Sequence, residues 1–180
     1  MITNSAPPLD TLVKGLIRDI PDYPKPGIIF KDITPLLGDP LAFARVTDAM
    51  ASPFTDAGVT HVVAIESRGF ILGGPIAQQL GAGFVPVRKP GKLPFKTLRR
   101  DYALEYGADA LEIHADACPP AARVLVVDDV LATGGTAAAT VQLVENLGVS
   151  VVGCSFLIGL SFLAGAARLG STPHRSVVTY

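Results

Sequence analysis

Cysteine is scarce in this chain: among 180 residues only Cys118 and Cys154 occur, and their spacing matches no metal or redox motif. A disulfide-stapled fold is thereby disfavoured, and reduced thiols in a cytoplasmic protein are the expectation. Histidine is equally thin, with His61, His114 and His174 in unrelated segments, so none is assigned a catalytic role. Basic blocks are missing too. The 15 Lys and Arg residues are balanced by 16 Asp and Glu for a net charge of −1, which argues against nucleic acid as a partner. The leading segment MITNSAPPLD has no basic region followed by an apolar core, so no signal peptide is expected and the mature chain should start close to Met1.

Long apolar runs of membrane type are also lacking, with one stretch to weigh. Residues 146–167 carry no charge and are about long enough to span a bilayer. Their first part, 149–158, is β-branched and strand-length, and Gly159, Ser161 and Gly165 interrupt the rest. A buried strand, a turn and a small helix are expected there, with no membrane association. At 49% apolar residues the chain can form one domain with a sizeable core, and it is too short for two full ones plus linkers.

Two familiar phosphate loops are absent. A P-loop needs a lysine after its second glycine, whereas Gly135 is followed by Thr136, and the nearest candidate for a dinucleotide fingerprint, residues 81–86, ends in Pro86. ATP hydrolysis and nicotinamide chemistry are therefore demoted.

What is present lies in RVLVVDDVLATGGTAAAT, residues 123–140. The β-branched run 124–127 reads as a strand covered on both faces in a parallel sheet, and such strands carry their chemistry at the carboxyl end. There the run stops in Asp128 and Asp129, then turns through Ala132, Thr133, Gly134, Gly135 and Thr136 into a helical stretch, 137–147. Glycines let main-chain N–H groups approach an anion, a helix start adds unpaired donors, and the two threonines add hydroxyls. The carboxylates would repel a phosphate and so are expected to face neutral hydroxyls or a cation. A ribose 5-phosphate meets both demands.

Elsewhere the pattern alternates. Leu9, Leu12, Val13, Leu16 and Ile17 recur at helical spacing, and prolines at 21, 24, 26, 35 and 40 then break the chain into an irregular flap with a short extended piece at 28–31. A helix is expected over 41–54, a strand over 61–65, a helix over 70–80 and a strand over 84–87. Further strands are expected at 111–113, 149–158 and 177–179. This alternation predicts an α/β fold with a parallel, doubly wound sheet. Residues 88–107, RKPGKLPFKTLRRDYALEYG, lose regular patterning and are read as a mobile basic lid. Two further strand ends thus join the first, ESRGF after 61–65 and RKPGKLP after 84–87, and a ligand meeting all of them would carry several negative charges.

The motif VLVVDDVLATGGT resembles the 5-phosphoribosyl 1-pyrophosphate (PRPP) site of the type I phosphoribosyltransferases. With PGIIFKDITPLL, ESRGF, RKPGKLP and YALEYG the resemblance covers roughly residues 20–160 and is closest to the adenine-using branch. It implies that family's fold: a central, mostly parallel sheet flanked by helices, one domain over 1–180, with a hood at about 18–38 and a lid at about 88–107. It implies transfer of the 5-phosphoribosyl group from Mg-PRPP to adenine, giving AMP and pyrophosphate in purine salvage, by a homodimer that needs Mg²⁺. By the same resemblance Ala132, Thr133, Gly134, Gly135 and Thr136 hold the 5-phosphate, and Asp128 and Asp129 the ribose hydroxyls. Ser67, Arg68, Gly69, Arg88, Lys89 and Lys92 hold pyrophosphate, with Arg88 reaching across a subunit interface. Phe30 covers the base, Ile29 and Lys31 bond it through the main chain, and Val130 lies on its other side. Glu105, beside Tyr106, is implied in proton transfer. No protein ligand to the metal is assigned, since the ion is held mainly through PRPP. The alternatives are a phosphoribosyltransferase for hypoxanthine, guanine or xanthine, and a PRPP-sensing regulator.

Overall fold

Runs of β-branched residues can be buried on both faces only inside a sheet that is itself covered on both sides. In the computed structural model, which describes residues 7–103 and 108–180, two such runs stand side by side at its centre. Val62, Val63 and Ala64 on β3 (His61–Ile65) and Val124, Leu125, Val126 and Val127 on β7 (Arg123–Leu131) are fully buried. Their neighbours are β4 (Gly83–Val87) on one side and β8 (Ser150–Gly159) and β9 (His174–Thr179) on the other, in the order β4-β3-β7-β8-β9, every pair parallel. Helix α4 (Arg68–Gln79) links β3 to β4, and α5 (Gly135–Asn146) links β7 to β8. From β3 the chain therefore steps outward one way, and from β7 the other. The crevice between the carboxyl ends of β3 and β7 is the topological switch point where open α/β sheets bind ligands.

The chain falls into two compact units, Met1–Ala49 and Met50–Tyr180, and the sheet belongs to the second. The first unit begins with α1 (Leu9–Leu16), then β1 (Arg18–Pro21) paired antiparallel to β2 (Ile29–Asp32), then the short α2 (Thr34–Gly38). Val13 and Leu36 are fully buried, and α1 packs on α2. Two ion pairs flank the antiparallel ladder: Arg18 and Asp32 pair at 2.6 Å, as do Lys31 and Asp19. Helix α3 (Pro40–Ala51) crosses the boundary and runs into a 3-10 turn, Ser52–Ala57, shortening the helix expected over 41–54.

The largest departure from expectation lies in residues 88–107. Thr97–Ala103 forms β5, a regular strand paired antiparallel to β6 (Ala108–His114) from Thr97↔His114 to Ala103↔Ala108. Leu98 and Tyr102 pack against the core cluster from alternate positions, while Arg99 and Asp101 face outward and pair at 2.8 Å. The hairpin is tied to the end of β4, because the Arg88 amide donates to the Glu112 carbonyl at 2.9 Å and the Glu112 amide returns a 2.7 Å bond. In residues 159–170 two 3-10 turns, Ser161–Leu163 and Gly165–Leu169, replace the expected small helix. Among the described residues no helix is long and apolar enough to cross a membrane. Cys154 is buried, and removal from water pushes its thiol up to about 12.

Candidate active site

At the switch point β7 ends in Asp128 and Asp129, and the chain then turns through Gly134, at φ +79°, into α5. Left-handed backbone at this cap favours glycine, and the first-turn N–H groups of α5 have no partner within the helix. The turn encloses a recess of about 70 Å³ lined by Asp128, Val130, Leu131, Ala132, Thr133, Gly134, Gly135, Thr136 and Ala137. Every residue expected to hold a 5-phosphate is thus on one small, donor-rich recess at a helix N-terminus.

A larger cavity, about 330 Å³, opens beside it and shares Asp128, Val130 and Thr136 with the recess. From β3 it receives Glu66, Ser67 and Arg68, from the end of β4 Lys89, and from β5 Tyr102. The Glu66–Ser67 peptide is cis. Gly69 closes the crevice between α4 and β7, where a Cβ would fall 2.9 Å from Asp128 Oδ1 and 3.1 Å from the Val127 carbonyl oxygen. Only glycine lets α4 start this close to the acids.

The two aspartates are not equivalent. Asp129 is buried and its carboxylate accepts from Arg68 Nε, so its charge is compensated. Asp128 Oδ1 accepts from the Asp129 amide at 2.9 Å. Loss of water around its carboxyl, followed by the adjacent Asp129 charge, raises its pKa well above the ordinary carboxylate range. A carboxyl of raised pKa facing a cavity suits hydroxyl groups and a ligand-borne cation.

The cationic residues are held by acids the sequence reading passed over. Glu66 Oε2 accepts from Arg88 Nε at 3.0 Å and from the Lys89 amide at 2.9 Å. Lys89 Nζ donates to Asp109 on β6, and Tyr102 Oη donates to the same carboxylate at 3.2 Å while accepting from Thr136 Oγ1 at 3.3 Å. Glu66 was within reach of sequence reasoning, since it stands in ESRGF at a strand end. Tyr102 and Asp109 were not, because only the β5–β6 pairing sets Tyr102 in the cavity lining with Asp109 behind it. Arg88 and Lys92 lie outside the cavity lining, joined by a 3.4 Å bond from Arg88 Nη1 to the Lys92 carbonyl.

In the first unit Ile29, Phe30 and Lys31 are consecutive on β2. Ile29 is 57% exposed, Phe30 meets Tyr23 edge to face at 5.2 Å, and Lys31 is paired with Asp19. Glu105 and Tyr106 lie outside the described residues.

Comparison with known proteins agrees with this geometry. The family model for the phosphoribosyl transferase domain matches residues 34–169. The adenine phosphoribosyltransferase of Myxococcus xanthus is 57% identical over 173 residues, 94% of either chain. The crystal structure of the enzyme of that name from Rhodothermus marinus superposes with a TM-score of 0.92 at 54% identity, covering 96% of this chain and 98% of that one. The Saccharomyces cerevisiae adenine phosphoribosyltransferase, solved with an imino-altritol bisphosphate and adenine, gives 0.89 at 37% identity over 94% of this chain and 98% of its own. A family model over most of the chain and relatives matched nearly end to end establish that the chain belongs to the adenine phosphoribosyltransferases, within the type I phosphoribosyltransferase family.

Proposed function

We propose that this chain transfers the 5-phosphoribosyl group of Mg-PRPP to adenine, giving AMP and pyrophosphate in purine salvage. The observation that carries the reading is one cavity at the switch point walled by the Ser67–Arg68 turn, the Asp128–Asp129 pair and the TGGT turn. Its order, from anion site to hydroxyl site to anion site, matches a ribose bearing a phosphate at one end and a pyrophosphate at the other. Adenine, which the yeast relative binds in its crystals, is the acceptor.

In this reading the free N–H groups of α5's first turn, with Thr133 and Thr136, hold the 5-phosphate, and Asp128 and Asp129 take the ribose hydroxyls. Arg68 pairs with the Asp129 carboxylate, and the raised pKa of Asp128 suits that carboxyl to hydroxyl partners. Ser67, Arg68 and Gly69, with Lys89, Arg88 and Lys92, receive pyrophosphate as it leaves with the electrons of the anomeric C–O bond. Adenine N9 attacks the anomeric carbon and loses its proton, for which Glu105, beside Tyr106, is the acceptor. Ile29, Phe30 and Lys31 are the first unit's candidates for the base, and Val130 is the second unit's. The 88–107 segment acts as the lid that excludes water, and the working unit is a homodimer.

Among the described residues no group of three or more His, Cys, Asp or Glu gathers to hold a metal. Two adjacent carboxylates suit a magnesium ion that keeps most of its coordination to ligand oxygens and water, so Asp128 and Asp129 are the residues that would hold it with PRPP. When bound, magnesium neutralises charge developing on pyrophosphate.

The test is AMP formation from adenine and PRPP with Mg²⁺, with hypoxanthine, guanine and xanthine as competitors. Efficient use of another base with poor use of adenine would overturn the choice of acceptor. PRPP binding without product would favour a regulator.

A further inference from the structure

Behind the TGGT turn the chain makes an unusually close backbone approach. A Cβ at Gly134 would strike the Gly165 carbonyl oxygen and lie 2.9 Å from its carbon. Conversely, a Cβ at Gly165 would strike the Ala132 carbonyl oxygen and lie 2.8 Å from the Gly134 nitrogen. The two glycines differ in why they are glycine. Gly134 sits at φ +79°, a conformation side chains rarely adopt, whereas Gly165 has no left-handed φ and opens a 3-10 turn, Gly165–Leu169. Alanine would suit the backbone angles of Gly165 and fail only for lack of space.

Gly165 is buried, yet it does not line the 70 Å³ recess. It lines a separate cavity of about 350 Å³ with Gly159 and Leu160, and Leu131 borders both this cavity and the recess. Gly165 is therefore pressed against the backbone of the TGGT turn from outside the recess that the turn encloses. Leu169, buried in the core cluster with Ala137 and Val141 of α5, anchors this backing segment to the helix that the turn begins. A rigid backing matters because an anion site made of main-chain donors works only while those donors stay aimed.

We propose that Gly165 is a positioning residue for the 5-phosphate site, fixing the TGGT turn from behind without touching the ligand. The proposal rests on the reading of that turn as the phosphate site. Calorimetric titration of Gly165→Ala with ribose 5-phosphate and with pyrophosphate separates it from a general structural role, because pyrophosphate is assigned to the Ser67–Gly69 turn, whereas the close approaches of Gly165 are to Ala132 and Gly134. Ribose 5-phosphate should bind about tenfold more weakly, with pyrophosphate affinity held within about twofold. Equal loss of both, or loss of neither, overturns the proposal. Should that variant fail to fold, Ala166→Gly with Ala167→Gly softens the backing segment from exposed positions. It should give the same one-sided loss at about threefold, and its absence likewise overturns the proposal. Thr133→Val with Thr136→Val tests the underlying reading. If that pair leaves ribose 5-phosphate affinity unchanged, the turn is not the phosphate site. If it weakens binding while the Gly165 and alanine variants do not, only the role of Gly165 fails.

Discussion

The amide of Asp129 donates to Asp128 Oδ1 at 2.9 Å, while the Asp129 carboxylate itself accepts from Arg68. Two neighbouring acids thus share a cavity with one compensated by a guanidinium and the other crowded by protein and by its neighbour's charge. The folded-state pKa of Asp128 is raised, so its ionisation opposes folding: stability is intact below the unfolded carboxyl's value, about 3.9, and is lost as pH rises through the raised folded value. Asp128→Asn removes that loss. Thermal unfolding should show a ligand-free variant more stable than the parent by about 2 °C or more near pH 8 and no more stable near pH 4. The same variant, combined with Asp129→Asn, should lose Mg-PRPP binding. Unchanged affinity in calorimetry would remove the pair from the ribose site.

Glu66 fixes two consecutive residues at the end of β4, accepting from Arg88 Nε at 3.0 Å and from the main-chain amide of Lys89 at 2.9 Å. Bonds of this charge-assisted kind contribute about 1.5–3 kcal/mol each. Glu66→Ala should weaken pyrophosphate binding roughly tenfold while ribose 5-phosphate, whose proposed site is the TGGT turn, shifts less than about threefold. Glu66→Gln, which keeps an acceptor for the Lys89 amide, should recover part of the loss. Parallel losses for both ligands would reduce Glu66 to general scaffolding.

Much of this arrangement was readable from residues alone, and what was hidden has physical reasons. The run at 124–127, its two acids and the TGGT turn form one local chain segment, so strand, switch point and recess all follow from a single stretch. Strand β5 was obscured because TLRRDYA puts Arg100 between Leu98 and Tyr102 on the face that packs inward, which breaks the apolar alternation. Strand β1, RDIP, is exposed throughout, with ion pairs beside its ladder to β2, so no hydrophobic period marks it. The pairing of Lys89 with Asp109 arises where β6 meets the end of β4 at the Arg88–Glu112 bridge, a contact between segments distant in sequence.

Glu105 is assigned the proton released from adenine, a role that positioned bases fill with about 10²–10⁴-fold effect. Glu105→Gln should lower kcat by a factor within that range and change PRPP affinity far less. A loss shared equally between the two, or no loss, would exclude Glu105 from the chemistry.

Asp32 closes the β1–β2 pair. Its Oδ1 accepts from the Thr34 hydroxyl at 2.6 Å and the Thr34 amide at 2.9 Å, and its Oδ2 pairs with Arg18 at 2.6 Å. The Thr34 bonds, then Arg18, hold the carboxyl down at about 2. Its contribution is therefore present above the unfolded carboxyl value of about 3.9 and disappears only as pH falls through about 2, so the strand pair keeps this brace across the working range of the enzyme. Asp32→Ala removes the brace one residue from Lys31, on the strand that carries Ile29 and Phe30. If those residues recognise the base, the KM for adenine should rise several-fold with the Kd for PRPP unchanged. Steady-state kinetics with adenine varied at saturating PRPP, alongside calorimetry with PRPP alone, separates the two. A rise in the Kd for PRPP with no change in the KM for adenine would dissociate β2 from base recognition.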